Sequence, residues 1–133
     1  MAKNVGPKGV ESNEKALFFQ EFLMENNINV FSTESIDDEY STVIFRSRIE
    51  TRGQILPMAI LIDTSIFTVI RTQIITGLTE DKQLRIKEYL NLLNMQYKIF
   101  KYYLKDDGTV YLDVCLPFAD ETFDSKMVQL MLS

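Results

Sequence analysis

The chain of 133 residues contains no histidine and a single cysteine, Cys115. The absence of histidine excludes Ser-His-Asp and Cys-His nucleophilic sites and metal sites built on imidazole. One cysteine precludes an internal disulfide and is typical of a protein of the reducing cytoplasm. The N-terminus also lacks the basic-then-apolar order of a signal peptide, so we expect a cytoplasmic protein in which Cys115 is a structural thiol.

Glycine and long apolar runs are scarce as well. With five glycines and neither a GxGxxG nor a GxxxxGK[ST] stretch, the sequence indicates no phosphate-binding loop. No run of about 18 apolar residues occurs, so no membrane span is predicted. The formal net charge of -5 argues against a general binder of nucleic acid or anionic membranes. We therefore expect neither nucleic acid nor membrane as a partner, and no cofactor or metal ion.

The composition that remains, 46% apolar and 25% charged, is ordinary for a globular protein. Residues 1–12 are predicted to form a flexible lead and residues 13–133 a single domain. A first helix is predicted from about Asn13, with Asn13 or Ser12 as its cap, and it ends at Asn26-Asn27. Its apolar residues at helical spacing are Ala16, Phe19, Phe22 and Leu23, with Phe18 beside them. Residues 28–31 are predicted to be an extended tether, and residues 32–40 an acidic loop.

Three strands joined by short turns follow, which predicts an antiparallel meander. Their approximate bounds are residues 41–49, 55–62 and 66–75. The second is a nearly continuous apolar run, typical of a strand covered on both faces. Pro57 within it cannot donate to a ladder, so it is expected near an edge or a bulge.

A second long helix is predicted from the cap residue Thr79 to Met95, with Glu80 and Asp81 at the positive end of its dipole. Its apolar residues cover too wide an arc for a helix that packs on one side only. They are Leu84, Ile86, Tyr89, Leu90, Leu92, Leu93 and Met95. The helix is therefore expected to pack both on the sheet and on a second copy of the protein.

A β-hairpin is predicted next, from two apolar runs around an Asp-Gly turn. A three-residue loop, Asp106 to Gly108, places Phe100, Tyr102 and Leu104 on the same face as Val110, Leu112 and Val114. It also places Gly108 where a bulge requires a left-handed residue. On the other face, Lys101 is paired with Asp113, and Tyr103 with Tyr111, as exposed cross-strand pairs.

After Pro117, Asp120 is predicted to cap a last helix over residues 121–132, with Phe123, Met127, Leu130 and Met131 facing inward. The predicted order is αβββαββα, an α+β fold in which helices cover a five-stranded antiparallel sheet.

Several clusters of charged residues are candidate sites. Carboxylates group at residues 37–39, at residues 106–107 and at Asp120, Glu121 and Asp124, where a loop, a turn and a helix cap account for them. Arg46, Arg48, Arg52 and Arg71 could share one sheet face and bind an acidic partner; the alternative is a solvated face. We expect no catalytic residues.

Four stretches of the second helix and the hairpin carry a family resemblance. They are L-N-x-L-N at residues 90–94, K-I-F at 98–100, D-D-G-T-V-Y-L at 106–112 and L-P at 116–117. Together they resemble the YbjN family, which is assigned to bacterial sensory transduction and shares the fold of type III secretion chaperones. The resemblance implies an α+β sandwich that dimerises through its second helix and the neighbouring strand, without enzymatic activity. The last helix is short for a secretion chaperone.

The sequence thus predicts a non-enzymatic, homodimeric protein-interaction module that is chaperone-like or regulatory. One alternative is a secretion chaperone that binds an extended client polypeptide, and another is a carboxylate-dependent metal-binding or enzymatic domain. The residues predicted to form the dimer or partner interface are Leu84, Tyr89, Leu92, Met95, Ile99, Tyr103 and Tyr111.

Overall fold

The computed structural model describes residues 13–132, which form an α+β fold with one six-stranded antiparallel sheet and three α-helices. The helices are α1 (Glu14–Glu25), α2 (Glu80–Gln96) and α3 (Ser125–Leu130). The strands are β1 (Ser32–Ser35), β2 (Val43–Thr51), β3 (Gln54–Ile62), β4 (Phe67–Ile75), β5 (Phe100–Leu104) and β6 (Val110–Pro117). Their order across the sheet is β1-β2-β3-β4-β6-β5. The predicted α+β class is confirmed; the predicted flexible lead and the alternative cap Ser12 lie outside the described residues.

The strand β1 is an addition to the five predicted strands, and it lies where a loop was expected. It pairs with residues 43–46 of β2. Its sequence, Ser-Thr-Glu-Ser, has no apolar alternation, so the pattern gave no sign of a strand. The connection to β2 is closed by Asp38, whose carboxylate accepts bonds from the Thr42 amide and hydroxyl at 2.9 and 2.7 Å. These bonds lower the pKa of Asp38.

The main core lies between one face of the sheet and α1. Asn13 caps α1, since its side chain accepts a bond from the Ala16 N–H at 3.0 Å, and Asn26 ends the helix as predicted. The Phe19 ring meets Phe45 of β2 edge to face, with 5.0 Å between centroids. The buried Lys15 donates to the carbonyls of Ser65 and Phe118, which ties α1 to two turns of the sheet.

The strand β3 is covered on one face only, so the prediction of two covered faces is wrong. Its inward residues are buried, whereas Ala59 and Leu61 on the outward face are only half-buried. The expectation for Pro57 is confirmed, because β4 pairs with β3 from Met58 to Ile62 and no further. Along an antiparallel strand, the backbone N–H and C=O groups of successive residues point in turn to one neighbouring strand and to the other. Pro57 lacks the N–H that would continue the hydrogen-bond ladder to β4.

The β5–β6 hairpin has the predicted register and loop. Leu104 pairs with Val110, Tyr102 with Leu112 and Tyr103 with Tyr111. The turn is closed by a bond of 3.0 Å from the Gly108 N–H to the Lys105 carbonyl. Gly108 has φ +84°, and a Cβ there would lie 2.6 Å from the Leu78 carbonyl oxygen. Only glycine therefore fits where the chain leading into α2 crosses the hairpin loop.

The C-terminal helix begins later than predicted. Asp120–Thr122 is a single 3₁₀ turn, Phe123 is extended, and Asp124, not Asp120, caps α3. The Asp124 carboxylate accepts from the Lys126 and Met127 amides at 3.0 and 3.2 Å, which starts a new helix. Val128 is the buried residue of α3, while the predicted inward residues Met127 and Leu130 are exposed. Phe123 and Met131 pack against the core as expected.

Candidate interaction surface

The helix α2 rests on the sheet along a narrow strip. Leu90 is the one buried residue among its 17, and Ile86 and Leu93, one turn away on either side, are half-buried. The helix contacts β5, the last strand of the sheet. The predicted cap Thr79 occupies the N-cap position, but its hydroxyl bonds the Asp81 carboxylate and does not cap the helix.

Asn94 fastens α2 to the outer edge of β5. Its side-chain amide donates to the Tyr102 carbonyl at 3.0 Å, and its side-chain oxygen accepts from the Tyr102 N–H at 2.8 Å. An edge strand presents unpaired backbone groups that can recruit another strand. The Asn94 amide supplies both bonds that a neighbouring strand would make to Tyr102, and so protects the centre of this edge.

The other side of α2 presents a row of exposed apolar side chains, here called the α2 ridge. Each is between half and three-quarters exposed. The ridge comprises Leu84, Tyr89, Leu92 and Met95 of the helix, and Ile99 in the segment after it. At 3.6 residues per turn, Leu84 and Met95 lie within about 20° of each other around the helix axis and Leu92 lies about 80° from Leu84. Tyr89 lies about 140° from Leu84, close to the strip that faces the sheet. Five of the seven predicted interface residues are thus exposed on α2 and the segment after it.

The remaining two predicted residues, Tyr103 and Tyr111, lie on the sheet. Their rings face each other across β5 and β6, with 5.6 Å between centroids. Both are half-buried, and the Tyr103 hydroxyl donates to the Asp113 carboxylate at 3.1 Å. The predicted interface therefore divides between the α2 ridge and the outward face of the sheet.

The outward sheet face also corrects the prediction for Asp113, which was expected in an exposed pair with Lys101. Lys101 is its register neighbour, but Asp113 is only 2% exposed and its ion-pair partner is Arg71 of β4. The Arg71 Nε and Nη2 atoms donate to the two carboxylate oxygens, each at 2.9 Å. The Lys101 ammonium lies over the Tyr103 ring instead, 5.3 Å from its centroid. Burial, then the nearby Asp113 charge, raise the pKa of Tyr103 to about 12.

An apolar cavity of about 310 Å³ opens at the opposite end of the core from the α1 N-terminus. Phe19, Phe22 and Leu23 of α1 line one side, and Ile49 and Met58 of the sheet line the other. Ile28, Val30 and Phe31 of the tether and Leu132 extend the apolar wall. The polar residues that complete the lining are Ser47, Arg48, Glu50 and Gln129. No sequence pattern indicated this cavity, because its lining comes from α1, the tether, β2, β3 and the C-terminal segment, which are far apart in the chain.

The carboxylate clusters have local bonding roles in the described chain. Asp38 closes a loop, Asp107 accepts from the Thr109 N–H at 3.0 Å, and Asp124 caps α3. Among residues 13–132, no three or more Asp, Glu, Cys or His side chains group in a way that could hold a metal ion. Cys115 is exposed.

Comparison with known proteins adds no relative to this description: no family model, curated protein or solved structure matches the chain. Within the described residues, none of the helices has the length and apolar character needed to cross a membrane.

Proposed function

We propose that this protein is a homodimeric, non-enzymatic protein-interaction module of YbjN type, with a chaperone-like or regulatory role in the cytoplasm. The α2 ridge carries the proposal. Exposed apolar residues are common singly, but five of them within one helix and the segment that follows it are typical of an association surface. The resemblance of residues 90–94 and 98–100 to the YbjN family assigns dimerisation to the same helix.

A second copy is the occupant that suits the ridge best. The helix is apolar over a wide arc, yet its own sheet buries only Leu90 fully. A helix with that pattern is stable in water when a second apolar surface covers it. Each apolar square ångström removed from water contributes about 25 cal/mol, so pairing of two ridges would supply a substantial driving force. The single cysteine is consistent with the reducing cytoplasm that we propose as its location.

Two methionines of nearly equal exposure provide a matched test. Met95 on the ridge is 75% exposed, and Met24 on α1 is 72% exposed. We expect the wild-type protein and Met24→Glu to sediment as dimers at micromolar concentration, and Met95→Glu to sediment as a monomer with an unchanged circular dichroism spectrum. A monomeric wild type, or equal effects of the two substitutions, would contradict the proposal.

The apolar cavity favours the alternative function of a secretion chaperone for an extended client. Its aromatic and aliphatic lining could receive side chains of an unfolded polypeptide. Val30, 67% exposed, borders this cavity and lies away from α2. A defined client that co-purifies with the wild type and Met95→Glu, and is lost with Val30→Glu, would support this alternative. Its retention by Val30→Glu would argue against it.

A further inference from the structure

The outward face of the sheet carries a transverse row that includes Arg46 and Arg71, two of the four arginines for which a shared sheet face was one of the two predicted alternatives. In register across four strands, the row reads Arg46, Ala59, Arg71 and Asp113. Because Ala59 has a small side chain between two arginines, a depression of about 260 Å³ forms above it. Pro57, Leu61, Gln73 and Tyr111 line its walls. The depression therefore has an apolar floor and an arginine on either side.

Arg71 is held in place at this depression. Its Nε and Nη2 atoms bind the buried Asp113 carboxylate, and Tyr111 lies beneath the guanidinium at 5.9 Å from the ring centroid. The Arg71 Nη1 atom makes no hydrogen bond with any described residue. A guanidinium fixed at one edge, with free donors at the other, is preorganised to bind a further acceptor.

Arg46 is paired more loosely on the other side. Its partner is Glu34 of β1, with 3.1 Å between Nη2 and the carboxylate oxygen, and both side chains are more than half exposed. An exposed ion pair of this kind is weak and exchangeable. Arg46 can therefore release Glu34 and bind another carboxylate without leaving a buried charge unpaired.

We propose that this depression binds a carboxylate side chain of an acidic segment of a partner protein, between Arg71 and Arg46. Arginine binds carboxylates through paired, charge-assisted hydrogen bonds, which gives the site its chemistry. Its volume is below the usual range for a small-molecule pocket, about 300 to 1,000 Å³, and suits one inserted side chain. The site goes beyond the proposed homodimer and does not depend on it, because no residue of the α2 ridge lines the depression.

A fluorescein-labelled hexaglutamate peptide at low ionic strength, followed by fluorescence anisotropy, tests the site. We expect Arg46→Gln to weaken binding about tenfold, the loss of one charge-assisted bond. Ala59→Leu, which fills the depression and leaves all charges, should weaken it by a similar factor. Glu34→Gln should strengthen binding about threefold, because it removes the competing exposed ion pair.

Arg48 provides the matched control, since it lies two residues along β2 on the same face but does not line the depression. Arg48→Gln should change binding by less than about twofold, as a screened surface charge does. Equal losses from Arg48→Gln and Arg46→Gln, wild-type binding by Ala59→Leu at an unchanged melting temperature, or absence of peptide binding would each overturn the proposal. Competition by free glutamate at the same carboxylate concentration would also overturn it, in favour of a small carboxylate ligand. A hexaglutamine peptide should not bind.

Discussion

The two long helices, α1 and α2, contain the same number of apolar residues but bury different numbers of them. The shorter helix α1 buries Ala16, Phe19 and Leu23 against the sheet. The longer helix α2 carries the same number of apolar residues, seven, and buries only Leu90. Propensity favours both segments as helices, but only α1 has an N-cap side chain bonded to its first turn and its apolar side covered by its own chain. The difference shows that the number of apolar residues in a helix does not by itself predict how many of them its own chain buries.

The largest loss of stability is expected for a substitution in α1, whose apolar side faces the core. Phe19→Ala should destabilise the protein by about 3 to 5 kcal/mol, because it removes a buried ring and leaves a cavity. Leu92→Ala on the α2 ridge should cost less than about 0.5 kcal/mol in the monomer. Urea unfolding of both variants in the Met95→Glu background separates folding from association.

A loss of more than about 2 kcal/mol from Leu92→Ala in that monomeric background would contradict the comparison. Leu92 would then have to be covered within its own chain, and the α2 ridge would not be a free surface. Leu92→Ala in the otherwise wild-type protein should weaken the dimer without changing the urea midpoint of the dissociated protein.

A second comparison, between Asp113 and Lys101, concerns what anchors the hairpin beneath α2. Asp113→Ala should destabilise the protein by about 2 kcal/mol, because Arg71 loses a buried partner but is exposed enough to be partly solvated. Lys101→Ala, at the paired position on β5, should change stability by less than about 0.5 kcal/mol. Thermal unfolding of the two variants measures this difference, and equal losses would show that the Arg71–Asp113 pair does not anchor β6 to β4.

The sequence was informative where contacts are local and patterned. The hairpin register followed from the alternation around Gly108, and the α1 cap from the residue type of Asn13. The burial of Asp113 could not be predicted, because its partner Arg71 lies 42 residues earlier and their pairing depends on the β4–β6 register. The strand β1 was missed because a short edge strand is held by backbone bonds, which leave no apolar pattern. For the candidate site, helical spacing was enough to predict which residues of α2 are exposed. The depression above Ala59 could not be predicted, because it depends on the order of the strands in the sheet.

The smallest expected effect is a pH dependence at the same hairpin. Because the pKa of Tyr103 is raised to about 12, from an ordinary value of 10.0, the folded state keeps its phenolic proton where the unfolded state loses it. The resulting stabilisation is fully present below pH 10 and is lost as pH rises through 12. In Tyr103→Phe this loss should be absent, so its melting temperature should fall less steeply with pH above 10 than that of the wild type.

Thermal unfolding at intervals from pH 9 to pH 11.5 measures the two slopes, with Tyr40→Phe as a control on an exposed tyrosine. Equal slopes for Tyr103→Phe and the wild type would show that the Tyr103 hydroxyl is neither buried nor held beside Asp113.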